Sequence, residues 1–292
     1  MPKEVGWAVR VINSMNIRHQ KAITRGFIAL VVLVCLTLHG FMLKEVHYTI
    51  TSPKLTGQDS FTIALITDLH GCYYGQNQKT LVDLLVKNKP NVILLGGDIY
   101  DDKIAFTHTD VLLAQLSDIA PTYYVDGNHE NWLPSAQYQA VLDKVQQHGI
   151  TIIHGKEVSI NNTNIHLYGV SDPASGGFDK DLQTVGKLAQ PQYLNVLLSH
   201  RPERIEDYRA YPFDLVMSGH AHGGQWRLPF LLNGVFAPNQ GLFPKYAGGW
   251  YQFFDRGQTT HLIVSRGLAR ESTRLPRFFN RPELVFVDIN KR

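Results

Sequence analysis

The run Phe61-Thr62-Ile63-Ala64-Leu65-Ile66-Thr67, followed at once by Asp68-Leu69-His70, decides how the rest of the chain is read. A run made only of apolar and β-branched residues predicts a buried strand. Asp68 and His70 stand two positions apart, so along an extended chain both side chains point to one side just beyond the strand's end. The arrangement recurs. Residues 92–95 lead into Gly97-Asp98-Ile99-Tyr100-Asp101, and 123–125 into Gly127-Asn128-His129-Glu130. Residues 196–198 lead into Ser199-His200, and 215–217 into Gly219-His220-Ala221-His222.

Between the first three runs lie segments with helical spacing: 80–87 (apolar at Leu81, Leu84, Leu85), 109–118 (Val111, Leu112, Leu116) and 135–148 (Val141, Val145). Strand and helix in alternation predict a parallel sheet, whose ligand sites lie at the carboxyl ends of the strands. All the polar segments are therefore expected along one edge. From residue 149 onward the pattern changes to short strands at 151–153, 158–160 and 165–168, the last two joined by the turn Asn161-Asn162-Thr163-Asn164, with later strands at 261–265 and 284–289. This favours an α/β architecture of two packed sheets flanked by helices over one doubly wound sheet.

The chain has 292 residues, 44% of them hydrophobic, enough to bury a sizeable core in one large domain. Its formal charge of +3 is small, and no dense basic stripe with interleaved aromatics is present, so a nucleic-acid partner is not expected. Cys35 and Cys72 lie in unlike contexts and form neither a C-x-x-C pair nor a disulfide framework.

Residues 26–43 carry no formal charge and are interrupted only by Thr37 and His39, at the lower limit for spanning a bilayer. Before them stand Lys3, Arg10, Arg18, Lys21 and Arg25 against the single acid Glu4. The positive-inside rule then makes 1–25 a basic cytoplasmic leader, 26–43 a transmembrane anchor, 44–59 a linker broken by Pro53 and Gly57, and 60–292 an extracytoplasmic domain at the cell membrane. A cleaved signal peptide is the rival reading, but residues 38–47 offer no convincing small-x-small site.

Aspartate, asparagine and histidine together suit borderline cations such as zinc, manganese or iron. Two ions a few ångströms apart need a shared ligand, and a carboxylate can bridge where an imidazole cannot. Asp98, central in the motif order, is the best bridging candidate. His220 and His222 repeat the spacing of Asp68 and His70 and are flanked by Gly219, Gly223 and Gly224, which let the backbone turn tightly.

The order D-x-H, G-D-x-x-D, G-N-H-E, H and G-H-x-H resembles that of the calcineurin-like metallophosphoesterases. The longer strings Gly219-His220-Ala221-His222-Gly223-Gly224-Gln225 and Val264-Ser265-Arg266-Gly267-Leu268 are similar to their bacterial membrane-associated branch. The resemblance covers 60–289 and implies a four-layer α/β/β/α sandwich with a dinuclear site. On this sequence Asp68, His70 and His222 would hold one metal and Asn128, His200 and His220 the other, with Asp98 bridging. His129 would stay off the metals, beside the scissile phosphate.

The chemistry implied is phosphoester hydrolysis, with a bridging water activated by two divalent ions and His129 as proton donor to the leaving oxygen. Asp101 is expected either to orient His129 or a metal ligand, or to cap a loop. Arg201, Arg266 and Arg270 are candidate phosphate contacts, each with a surface arginine as the alternative. Residues 226–251 are rich in large apolar side chains close to His222, which suggests a lipid-linked phosphodiester or pyrophosphate substrate. The competing readings are a non-catalytic scaffold of the same fold and a nuclease of the same superfamily.

Overall fold

The computed structural model describes residues 19–28, 30, 31, 34, 40–228, 230–255, 257–270 and 276–292. Strands β1 (Lys44–Ser52), β2 (Ser60–Ile66), β3 (Val92–Gly96), β4 (Thr122–Val125) and β5 (Thr151–Ile152) share one sheet with the last strand, β14 (Glu283–Lys291). Their order is β1-β14-β2-β3-β4-β5. The second sheet has the order β12-β13-β9-β8-β7-β6, from β6 (Lys156–Ser159), β7 (Ile165–Gly169), β8 (Leu194–Leu198), β9 (Leu215–Ser218), β12 (Gly249–Asp255) and β13 (Gln258–Val264). A small hairpin, β10 (Phe236–Ala237) with β11 (Gly241–Leu242), stands apart.

Side chains alternate across each strand and so divide the core into three layers. Ala64 and Ile66 of β2, Ile93 and Leu95 of β3, and Phe286 of β14 face the helices α1 (Lys79–Asn88), α2 (Thr107–Leu116) and α4 (Ser135–Gln147). The intervening Ile63, Leu65, Leu94 and Val285 meet Val196, Leu198, Met217 and Ile263 of the second sheet. On that sheet's far side Leu197, Val216 and Leu262 pack with Phe178, Leu182 and Val185 of α5 (Phe178–Leu188) and with Ile205 and Tyr208 of α6 (Ile205–Tyr208). The result is helix, sheet, sheet, helix. Strands buried on both faces read as continuous apolar runs, which is why they stood out in the sequence.

The parallel pairings β2–β3–β4 and β7–β8–β9 place the carboxyl ends of these strands at one edge of the sandwich. Leu65 pairs with Leu94, and Leu94 with Tyr123, so the loops after β2, β3 and β4 leave the sheet side by side.

Two segments differ from expectation. Residues 44–52, expected as linker, form edge strand β1, which runs parallel to β14 and packs Val46, Tyr48 and Ile50 against the inter-sheet core. Residues 249–251, read with the apolar segment after His222, begin β12 (Gly249–Asp255), which pairs antiparallel with β13. Among the described residues no helix is long and apolar enough to cross a membrane. The expected leader and anchor include residues 1–18, 29, 32, 33 and 35–39, which lie outside the described residues. Residues 19–28, 30, 31, 34, 40 and 41 are helical.

Candidate metal centre

Each predicted ligand sits on the first residues past a strand, and the backbone bends sharply there. Asp68, His70, Asp98, His220 and His222 all have positive φ, between 47 and 65°. Such φ values strain residues other than glycine, and they concentrate where function fixes the side chains. One glycine makes the bend possible. A Cβ on Gly267 would lie 2.5 Å from the Cβ of Asp68, and φ there is +70°.

Asp98 lies at the centre. Its Oδ2 stands 3.1 Å from His200 Nε2 and 3.6 Å from His70 Nε2, so one carboxylate oxygen faces histidines from both sheets. Its Oδ1 accepts from the His129 amide at 2.9 Å. Asp68, His70, Asp98 and His222 form one group whose donor atoms could hold a metal ion, and Asp98, His200 and His220 form a second. Asn128 is buried at the start of the short helix α3 (Asn128–Asn131). All seven predicted ligands therefore come to the same edge of the sandwich.

The histidines are held from behind. His70 Nδ1 bonds Asp101 Oδ2 at 2.8 Å, and His200 Nδ1 donates to the Gly96 carbonyl at 2.8 Å. His220 Nε2 lies 2.8 Å from Asn239 Oδ1. For His70 and His200 such bonds to oxygen fix the tautomer and leave the opposite nitrogen with a lone pair for a cation, whereas His220 Nε2 also meets the donor Arg201 Nη1 at 2.7 Å. Those opposite nitrogens, His70 Nε2, His200 Nε2 and His220 Nδ1, are buried without a hydrogen-bond partner, as are Asp98 Oδ2 and Asn128 Oδ1. Buried polar atoms in folded proteins almost always find partners. Exceptions occur elsewhere in the chain, but these come together around Asp98 and have the chemistry of a borderline-cation donor set, so the residues fit a metal.

The electrostatics agree. Burial and the neighbouring Asp98 raise the carboxyl of Asp68. Burial opposes ionisation of Asp98 too, but His200 and His70 hold it well below the usual carboxylate range. Burial favours neutral His220 and His222 and drives both well below the usual imidazole value. Burial opposes charge on His200 too, but Asp98 raises its imidazole to about 10, so the buried carboxylates draw positive charge to this point.

A third group, His70, Asp101 and His129, is close enough for a metal but is already satisfied. Asp101 Oδ2 faces both His70 Nδ1 and, at 3.3 Å, His129 Nδ1. His129 Nδ1 also bonds Asp102 Oδ1 at 2.7 Å. Burial disfavours the His129 imidazolium, yet Asp101, Asp98 and Asp102 push its pKa up to about 9. Asp101 does both things expected of it: Oδ2 orients the two histidines, and Oδ1 caps the loop by accepting from the Lys103 and Ile104 amides at 2.8 and 3.1 Å.

Of the candidate phosphate contacts, Arg201 is buried and forks onto Asp172, with Nε–Oδ2 at 2.5 Å and Nη2–Oδ1 at 2.8 Å, while Nη1 donates to Asn239. It is neither a surface arginine nor a free phosphate clamp. Arg266 Nε lies 3.3 Å from Glu283 Oε2, and Arg270 donates to the Tyr73 carbonyl.

Sequence reasoning missed several supporting residues. Glu130, quoted in its motif without a role, is buried and accepts from the amides of Gly127 (2.9 Å), Asp98 (3.0 Å), Ile99 (2.7 Å) and Tyr100 (3.0 Å). It staples the loop after β3 to the loop after β4. A glutamate directly after the Asn-His pair was a visible signal. Asp102, Asp172 and Asn239 gave none, because their partners are distant in sequence.

An α/β sandwich with a histidine and carboxylate cluster at the carboxyl ends of its strands defines a metal-dependent hydrolase. The chain belongs to the calcineurin-like phosphoesterases, whose family model matches residues 61–224. It is 28% identical over 235 residues to "Phosphodiesterase YaeI" of Escherichia coli (strain K12), covering 78% of this chain and 82% of that protein. It is 28% identical over 259 residues to the "Uncharacterized metallophosphoesterase YkuE" of Bacillus subtilis (strain 168), covering 85% and 86%. A "Transmembrane protein with metallophosphoesterase domain" of Bos taurus is 26% identical over 288 residues, covering 90% of this chain and 62% of its own.

Proposed function

We propose that this metallophosphoesterase is a phosphodiesterase or pyrophosphatase that uses two divalent ions, manganese, zinc or iron, on a lipid-linked or membrane-proximal substrate. The observation that carries the two-ion reading is the set of partnerless buried donor atoms on both sides of Asp98 Oδ2. Asp68, His70 and His222 would hold one ion, Asn128, His200 and His220 the other, and Asp98 both. Bound there, the ions would supply Lewis acidity towards the phosphoryl oxygens and a nucleophile at neutral pH.

The chain's own groups do the rest. Asp101 and Asp102 hold His129 by Nδ1, which leaves Nε2 to carry a proton towards the leaving oxygen. Asp101 and Asp102 beside Nδ1 push the His129 pKa up, which favours the protonated form that the acid role requires. The Glu130 staple and the strained loops fix the donor atoms in advance, so little reorganisation is needed when substrate binds.

Support for a membrane setting comes from two places. The helical residues Ile23, Phe27, Ile28 and Leu30 are exposed, and the basic leader precedes them. The bovine relative's name describes a transmembrane protein. On this reading 26–43 is a single-pass anchor and the catalytic domain lies outside the cytoplasm.

The test is hydrolysis of an aryl phosphodiester by the purified full chain after chelation and readdition of manganese, zinc or iron, beside Asp98→Asn. Activity that survives chelation, or the substitution, removes the reading. A scaffold of the same fold predicts no hydrolysis under any metal.

A further inference from the structure

We propose that the loop 226–243 is a surface that docks into the headgroup region of an anionic bilayer, and that Asn239 ties the loop's position to His220. The proposal rests on the phosphoesterase reading and adds the surface on which that chemistry takes place.

The loop exposes Trp226, Leu228, Phe230, Leu231, Leu242 and Phe243. Contiguous apolar exposure of this kind marks an interaction surface. It is also a constructed surface. The Leu231 and Leu232 amides donate to the Leu228 carbonyl at 3.0 and 2.8 Å, forming a tight turn with Phe230, at φ 68°, on its tip. At the base, the Val235 amide donates to the Gly224 and Trp226 carbonyls at 3.0 and 2.9 Å, and the Phe243 amide to Val235 at 2.9 Å. The turn therefore presents Leu228, Phe230 and Leu231 outward.

Two observations select a bilayer as the occupant. The first is charge: between His222 and Asp255 the sequence contains no Asp or Glu, and its charged residues short of Asp255 are Arg227 and Lys245. Arg227 turns inward onto Asn233 and the Gly223 carbonyl, so Lys245 is the exposed cation, and apolar anchors with a cation and no acid among them match an anionic lipid surface. The second is continuity with the amino-terminal helix. Trp226 Nε1 donates to the Pro276 carbonyl at 2.9 Å and the Arg227 amide to Phe278 at 3.0 Å. The same strap holds the helix end: a Cβ on Gly40 would lie 2.2 Å from the Arg277 carbonyl oxygen, and Arg281 Nε donates to the Met42 carbonyl at 2.9 Å. Loop and helix thus share one backing. A membrane meets both at once, whereas a globular partner or a second copy would have to cover two separate patches.

Asn239 connects this surface with the metal centre. It lies on the exposed loop, at φ 58°, yet its Oδ1 is 2.8 Å from His220 Nε2 and accepts from Arg201 Nη1 at 2.5 Å. Two groups meet His220 Nε2, Asn239 Oδ1 and, at 2.7 Å, Arg201 Nη1; displacing the loop removes the first and releases the second from Asn239, so Asn239 is a positioning residue.

The test uses the full chain in vesicles of phosphatidylethanolamine and phosphatidylglycerol. Leu242→Cys, in a Cys35→Ser background with Cys72 buried, carries an environment-sensitive fluorophore. The label is expected to be quenched by doxyl lipid and shielded from aqueous iodide, and Phe230→Asp with Leu231→Asp should reverse both. A label open to iodide overturns the docking surface, as does one shielded from both quenchers in a cross-linkable dimer. Asn239→Ala should weaken metal affinity by about 10–100-fold in a direct metal titration. Unchanged affinity overturns the coupling. Quenching reads docking without turnover, so failure to hydrolyse phosphodiesters would count against the function and leave this test intact.

Discussion

Asp98 belongs to both groups of side chains that could hold a metal ion, so its loss cannot be shared out among neighbours. Asp98→Asn should abolish measurable aryl phosphodiester hydrolysis and lower metal content, read by elemental analysis of the purified protein. His129→Ala should reduce kcat by about 10²–10⁴ and leave metal content intact, because this side chain moves a proton. Asp102→Asn should show a smaller fall in kcat with the alkaline limb of the pH–rate profile shifted to lower pH, since its carboxylate helps hold the proton on His129. The convergence of the candidate ligands was legible because each follows an apolar run. Their supports were not: Asp172 meets Arg201, and Asn239 meets His220, only after the chain has folded.

Elements, like residues, differ in how plainly the sequence declares them. The central strands were visible as unbroken apolar runs, whereas β1 was read as linker although Val46, Tyr48 and Ile50 alternate through it. A half-buried edge strand carries polar residues on its other face, and Pro53 and Gly57 beyond its end drew the boundary too early. The strand is tied to α1 by Glu45, whose carboxyl is lowered from 4.5 to about 2, chiefly by Lys87 and then by Asn88. A depressed folded-state pKa stabilises above the unfolded value and loses that contribution as pH falls through the folded one. Glu45→Gln should therefore be less stable than the parent in urea at pH 7, and the gap should close as pH falls from 4.5 towards 2. Glu130 makes the stronger tie between elements. Replacing it with Gln puts an NH₂ donor among backbone donors, and a loss of about 1.5–3 kcal/mol is expected in chemical denaturation.

For the whole molecule, the metal centre joins the loops of two sheets, so ion binding and folding are linked. A ligand at 100 times its Kd adds about 2.7 kcal/mol to stability, and chelation should lower Tm in a scan that readded manganese or zinc restores. A reporter fused at Arg292 is expected on the extracytoplasmic side, as the charges around 26–43 direct. The order β1-β14-β2 has a further consequence for how the protein is made. The last strand inserts between the first two, so β1 has no neighbour in its sheet until β14 arrives. Pairings this distant in sequence close slowly. The chain must therefore be synthesised to its final strand before the sandwich can shut. Until then β1 waits as an open edge next to the amino-terminal helix, the interval in which the nascent protein is most exposed to aggregation and most in need of a chaperone.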